Sequence, residues 1–186
     1  FSFYPGKNLG AYGDAGGIMT NDAEVAHQCR LISNHGMIAK HDHRLEGRNS
    51  RMDTLQAAVL SVKLKYIQDW TAQRIVHAHY YNDALKGLPI SLPIIEDRHQ
   101  HVFHVYVIQV KDRTKVKDEL EKRGVATQIH YPQALPALIP YQDKFEANDY
   151  PVAQSLAAEG LSLPLFPEMT KTQIDYVVSQ LREVLD

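Results

Sequence analysis

From Asp53 to Leu85 apolar residues recur at helical spacing for longer than anywhere else in the chain, and this run constrains the fold most. Leu55, Val59, Val62, Tyr66 and Trp70 return every three to four residues, and Leu60, Leu64 and Ile67 broaden the stripe. Asp53-Thr54-Leu55-Gln56 has the D-x-x-Q form of a capping box at the start, and Gly87 with Pro89 stops the run. A helix of that length usually connects two bodies. A boundary is therefore expected near its middle, dividing the chain into domains 1–70 and 71–186.

Ahead of the long helix, Gly10, Gly13, Gly16 and Gly17 allow positive φ and close backbone approach. Ile18-Met19-Thr20 reads as a short buried strand, followed by a helix capped at Asn21 or Asp22 and running to about Ser33. Val25, Cys29 and Ile32 fall on one face of that helix. The polar stretch "NHGMIAKHDHRLEGRNSRMD" has no clear period and reads as a long functional loop.

Beyond the long helix, "HVFHVYVIQV" alternates as a strand does, a short helix spans about Thr114 to Arg123, and Gly124 stops it. A second strand is expected over Val125–Tyr131, a helix opening at Pro151, and a third strand at "LSLPLF". Thr170-Lys171-Thr172-Gln173 is a second capping box, leading a helix with Ile174, Val177, Val178, Leu181 and Leu185 on its apolar face. Helices alternating with strands make this half a small α/β layer.

Composition narrows the function classes. With 44% apolar residues in 186, a packed core is expected. A formal net charge of -2 argues against nucleic acid as a partner. Cys29 is the single cysteine and forms no internal disulfide. No apolar run is long enough to span a bilayer and none reads as a secretory leader, so no membrane association and a cytoplasmic location are the expectations.

Lys7 lies between Gly6 and Asn8, a pairing that invites comparison with phosphate-binding loops. A Walker A loop needs glycine five residues before the Gly-Lys pair and Ser or Thr after it; Phe1 and Asn8 stand there instead. His41, His43, His99, His101 and His104 match none of the specific zinc spacings, so no metal is expected. Lys7 as an ordinary surface lysine is the plain alternative. Against it stand Ser2, separated from Lys7 by stiff aromatic and proline residues, and the glycines that let backbone N–H groups approach an anion.

"SFYPGKNLGAYGDAGGIMTND" closely resembles the pyridoxal-phosphate lysine segment of the DegT/DnrJ/EryC1/StrS family of sugar aminotransferases. "EGRNSRMDTLQAAVLSVKL", "HVFHVYVIQV", "VATQIHYP" and "LSLPLFPEMTKTQID" resemble later landmarks of the same family, in the same order. The resemblance implies an α/β chain of PLP-dependent transferase fold type I, the aspartate aminotransferase-like fold. It would comprise the end of the large domain and the small C-terminal domain. The family's aromatic residue stacking on the cofactor and its aspartate at the pyridine nitrogen would lie ahead of Phe1, so this chain alone is expected to be an incomplete, inactive fragment.

The same resemblance implies residue roles. Lys7 would be the catalytic lysine, joined covalently to pyridoxal 5'-phosphate and then free to shuttle a proton. Ser2 would donate to the cofactor phosphate, and Asn49 would reach the phosphate held by a neighbouring subunit. His130 and Tyr131 would lie near the sugar. A dehydratase branch carries histidine where this chain has Lys7, so transamination is implied. The expected reaction moves an amino group from glutamate to a nucleotide-linked keto-sugar in polysaccharide or amino-sugar biosynthesis, within a homodimer that shares its active sites. The rival is a non-catalytic regulatory or structural homologue that keeps the fold.

Overall fold

The structure, a computed structural model, describes residues 1–96 and 98–186. The chain divides into two compact units, Phe1–Gln68 and Asp69–Asp186.

The first unit opens with a looped segment, followed by helix α1 (Ala23–Ser33). Asp22 caps α1 as expected, its carboxylate accepting from the N–H groups of Glu24 (2.8 Å) and Val25 (3.1 Å). The strand expected at Ile18–Thr20 is absent, and Ile18 and Met19 are 72% and 74% exposed. In the polar stretch that reads as a loop, strands β1 (Met37–Ala39) and β2 (Asp42–His43) form a small antiparallel hairpin. Its turn residue His41 takes a positive φ of 68°, which hydrophobic periodicity does not signal.

The long helix is not continuous. Helix α2 (Thr54–Lys63) gives way to a 3-10 turn at Leu64–Tyr66 before helix α3 (Ile67–Ala84) begins. The tighter turn shifts the phase of the apolar stripe. Leu55, Val62 and Leu64 are exposed. The first capping box also fails to form. Asp53 occupies the cap position without a side-chain bond, and the Gln56 side chain, which would make the reciprocal bond, accepts the Tyr12 N–H at 2.7 Å instead.

The second unit is built around two antiparallel strands, β3 (Tyr106–Gln109) and β4 (Gly160–Leu163), with Tyr106 opposite Leu163 and Val107 opposite Ser162. The sheet is extended by single bridges, Ser91 to Gln109 on one edge and Gln128 to Ser162 on the other. The strand expected over Val125–Tyr131 is reduced to that one bridge. Helices α4 (Arg113–Lys122), α5 (Pro151–Glu159) and α6 (Lys171–Leu185) complete the unit. Pro151 opens α5, and Thr170 with Gln173 forms the reciprocal capping box ahead of α6.

The core joins α3, β3, β4, α4 and α6 through fully buried side chains that include Tyr81, Ile108, Leu120 and Leu181. Tyr81 and Tyr106 stack with ring centroids 4.9 Å apart. Their hydroxyls donate to Pro164 O (3.0 Å) and Asn82 Oδ1 (2.6 Å). Burial pushes both phenols well above the ordinary tyrosine range, and at Tyr81 the neighbouring Tyr106 adds to the shift.

Candidate functional site

The opening segment closes on itself. Phe3 N–H donates to Ala15 O (2.9 Å), Gly17 N–H to Phe1 O (2.9 Å) and Ala11 N–H to Phe3 O (2.8 Å), and Ser2 bridges Gly16. Inside this closure the backbone of one residue, Tyr4, links two of the residues singled out from the sequence. Tyr4 N–H donates to Ser2 Oγ at 3.3 Å, and Tyr4 O accepts from Lys7 N–H at 2.8 Å. Lys7 is half-buried and Ser2 is exposed.

Space, not handedness, explains the glycines here. None of Gly10, Gly13, Gly16 and Gly17 takes a positive φ. A Cβ at Gly10 would stand 2.3 Å from Pro5 O, so only glycine lets the turn around Lys7 close.

Two residues of α2 secure the far end of the turn, and sequence reasoning missed both roles. Gln56 Oε1 accepts the Tyr12 N–H, while Lys63 Nζ donates to Gly10 O at 2.7 Å and lies 4.9 Å over the Tyr12 ring. Their seven-residue separation, two helical turns, was the available signal, since it sets both on one face of α2. The Lys63 amine is therefore committed to the backbone.

Asn49 lies on the run that pins the polar stretch to the end of α1. It bridges Asn34, while Arg48 N–H donates to Ile32 O (2.8 Å) and Ser50 N–H to Ser33 O (2.9 Å). Arg51 organises both amides, donating from Nε to Asn49 Oδ1 (3.2 Å) and from Nη1 to Asn34 Oδ1 (3.3 Å). With its oxygen occupied, the exposed Asn49 amide presents its NH₂ group as a donor. In the same unit an open groove of about 920 Å³ is lined by Phe1, Ile18, Met19, Cys29, Arg48 and Ser50 among others.

His130 and Tyr131 belong to the second unit, so the structure groups Ser2, Lys7 and Asn49 in one unit and this pair in the other. A cis peptide joins them, and both are exposed. Their rings meet edge to face with centroids 5.4 Å apart. His130 Nδ1 lies 2.8 Å from Ser162 Oγ. Among the described residues no group of three His, Cys, Asp or Glu side chains could hold a metal, and no helix is long and apolar enough to cross a membrane.

Residues 1–182 match the model of the DegT/DnrJ/EryC1/StrS aminotransferase family, and the chain belongs to that family. It is 41% identical over 98% of its length to a Saccharopolyspora erythraea protein named "Erythromycin biosynthesis sensory transduction protein EryC1", covering 50% of that protein. It is 37% identical over 98% of its length to the dTDP-3-amino-3,4,6-trideoxy-alpha-D-glucose transaminase of Streptomyces venezuelae, covering 49% of it. Among solved structures, S. venezuelae DesV in complex with a ketimine intermediate superposes on the whole chain with a TM-score of 0.95 at 36% identity, covering 51% of DesV. The fold is thus that of the family's aminotransferases, the PLP-dependent fold type I. The chain spans about half the length of the curated relatives it matches.

Proposed function

We propose that this chain supplies the cofactor lysine and the small domain of a PLP-dependent aminotransferase acting on a nucleotide-linked keto-sugar. In this reading residues 1–70 end a large cofactor-binding domain and residues 71–186 form the small α/β domain. The observation that carries it is the Tyr4 backbone, whose N–H and carbonyl tie the hydroxyl-bearing Ser2 and the amine-bearing Lys7 into one turn.

The donor set fits pyridoxal 5'-phosphate. Lys7 offers the amine that such an aldehyde requires. Ser2 Oγ spends an acceptor position on Tyr4 N–H and keeps its proton for a phosphate oxygen, and Asn49 offers its NH₂ in the same role. When bound, the cofactor supplies an electron sink for the carbon that gains or loses the amino group. Lys7 anchors it and, once released, carries the proton to and from the substrate carbon. His130 and Tyr131 contact the sugar, glutamate is the amino donor, and the working unit is a cytoplasmic homodimer.

In the assembled enzyme, Lys7→Ala should reduce transfer from glutamate to the keto-sugar by at least about a thousandfold, with the far-UV circular dichroism unchanged. Near-wild-type transfer would refute the assignment. The S. erythraea relative's name favours the regulatory reading. That reading gains if the wild-type protein develops no visible absorption band with the cofactor.

Asn49 acts across the dimer interface in this proposal. Loss of a neutral donor to a charged phosphate costs about 1.5–3 kcal/mol, so Asn49→Ala should weaken cofactor affinity by about one to two powers of ten. A mixed dimer of Lys7→Ala and Asn49→Ala subunits discriminates the geometry. Action in trans places both lesions in one site and leaves the other intact; a mixed dimer with no intact site would show action in cis.

A further inference from the structure

Ser162 is the polar exception in β4. It is 4% exposed, between Leu161 at 0% and Leu163 at 3%. Its backbone is fixed from both sides, opposite Val107 of β3 and doubly bonded to Gln128, with Ser162 N–H donating to Gln128 O (2.8 Å) and Gln128 N–H to Ser162 O (3.1 Å). Two residues beyond Gln128, the ring of His130 meets the Ser162 hydroxyl at 2.8 Å. The exposed imidazole is therefore moored at one nitrogen to the interior of the sheet.

The direction of this bond follows from the cost of unmade bonds. A hydroxyl has one proton, and among the described residues the only hydrogen-bond partner of Ser162 Oγ is His130. Burying an O–H with no acceptor costs more than leaving one oxygen lone pair unused. The hydroxyl therefore donates and Nδ1 accepts. A neutral ring whose Nδ1 accepts must carry its proton on Nε2. Tyr131, packed edge to face at 5.4 Å and 67% exposed, limits the tilt of the ring.

We propose that Ser162 is a positioning residue whose buried hydroxyl fixes His130 as the Nε2–H tautomer and makes it a hydrogen-bond donor to an oxygen of the sugar. His130 in this state cannot take a proton at Nδ1 without reversing that bond and leaving the buried Ser162 hydroxyl proton without an acceptor, so it recognises an acceptor instead of acting as a base there. The inference rests on the proposed contact between His130 and the sugar, and it specifies the chemistry of that contact.

Long-range ¹H–¹⁵N correlation spectra of the ¹⁵N-labelled chain at alkaline pH read the tautomer directly, with His130 assigned through His130→Gln. Wild-type protein should show an unprotonated Nδ1 and a protonated Nε2. Ser162→Ala should move the two nitrogen shifts toward each other as both tautomers become populated, and Ser162→Thr should preserve the wild-type pattern. Circular dichroism checks that each variant is folded. A protonated Nδ1 in the wild type, or an unchanged spectrum in Ser162→Ala, overturns the proposal while leaving the transaminase reading intact.

In the assembled enzyme, Ser162→Ala should raise KM for the keto-sugar about five- to tenfold, leave KM for glutamate unchanged, and be rescued by Ser162→Thr. An unchanged sugar KM beside an altered tautomer overturns the assignment of a sugar oxygen. Wild-type enzyme with no transaminase activity overturns the underlying reading instead.

Discussion

The two units bury their apolar residues very differently. In the second, Tyr81, Leu85, Tyr106, Ile108, Leu120 and Leu181 are all at 0% exposure, packed between a small sheet and its helices. In the first, only Ala11, Leu31 and Leu60 are buried apolar residues, while Phe1, Ile18, Met19 and Leu55 are more than 70% exposed. The first unit's loops are instead held by backbone bonds and by a few long side chains such as Lys63, Gln56 and Arg51. One unit therefore derives its order from a core, and the other holds its candidate site on a scaffold of hydrogen bonds.

Truncation should separate the two most strongly. Leu181→Ala leaves a cavity in a fully buried site and should destabilise the chain by about 2–5 kcal/mol. Ile18→Ala removes a side chain that is 72% exposed and should change stability by no more than about 0.5 kcal/mol. Denaturant midpoints measure both, and equal effects would break the contrast.

Alkaline titration sharpens it by a smaller amount. Burial raises the pKa values of Tyr81 and Tyr106 in the folded state above the unfolded value of about 10. A raised folded pKa means that the stabilisation is fully present below about pH 10. It is lost as pH rises beyond that, because the unfolded chain releases its protons first. Each tyrosine should contribute a slope of up to about 1.4 kcal/mol per pH unit in that range, and Tyr81→Phe should remove one such contribution. Denaturation at a series of pH values reads the slope; a Tyr81→Phe variant with the wild-type slope would contradict this account.

The same contrast explains what the sequence discloses. In the second unit, periodicity and burial agree: Ile174, Val177, Val178 and Leu181 mark the buried face of α6, and Thr170 with Gln173 marks its start. In the first, periodicity marks apolar faces whose burial it cannot supply, which is why Ile18–Thr20 reads as a buried strand but is exposed. Gln56 shows the limit of local motifs, since a backbone donor 44 residues away takes the side chain that a capping box would use. The Lys7 turn was legible because its residue types and order are distinctive. The paired Tyr4 backbone bonds, the Lys63 anchor and the Ser162–His130 bond were not, because each depends on which atoms face one another after folding.

The central claim is that Lys7, and not the backbone-bound Lys63, carries the cofactor. Borohydride reduction of the assembled enzyme after incubation with pyridoxal 5'-phosphate, followed by proteolysis and mass spectrometry, tests it directly. The account predicts a phosphopyridoxyl adduct on Lys7 and loss of the visible absorption band. An adduct confined to Lys63, or no site-specific adduct on any lysine, would contradict it.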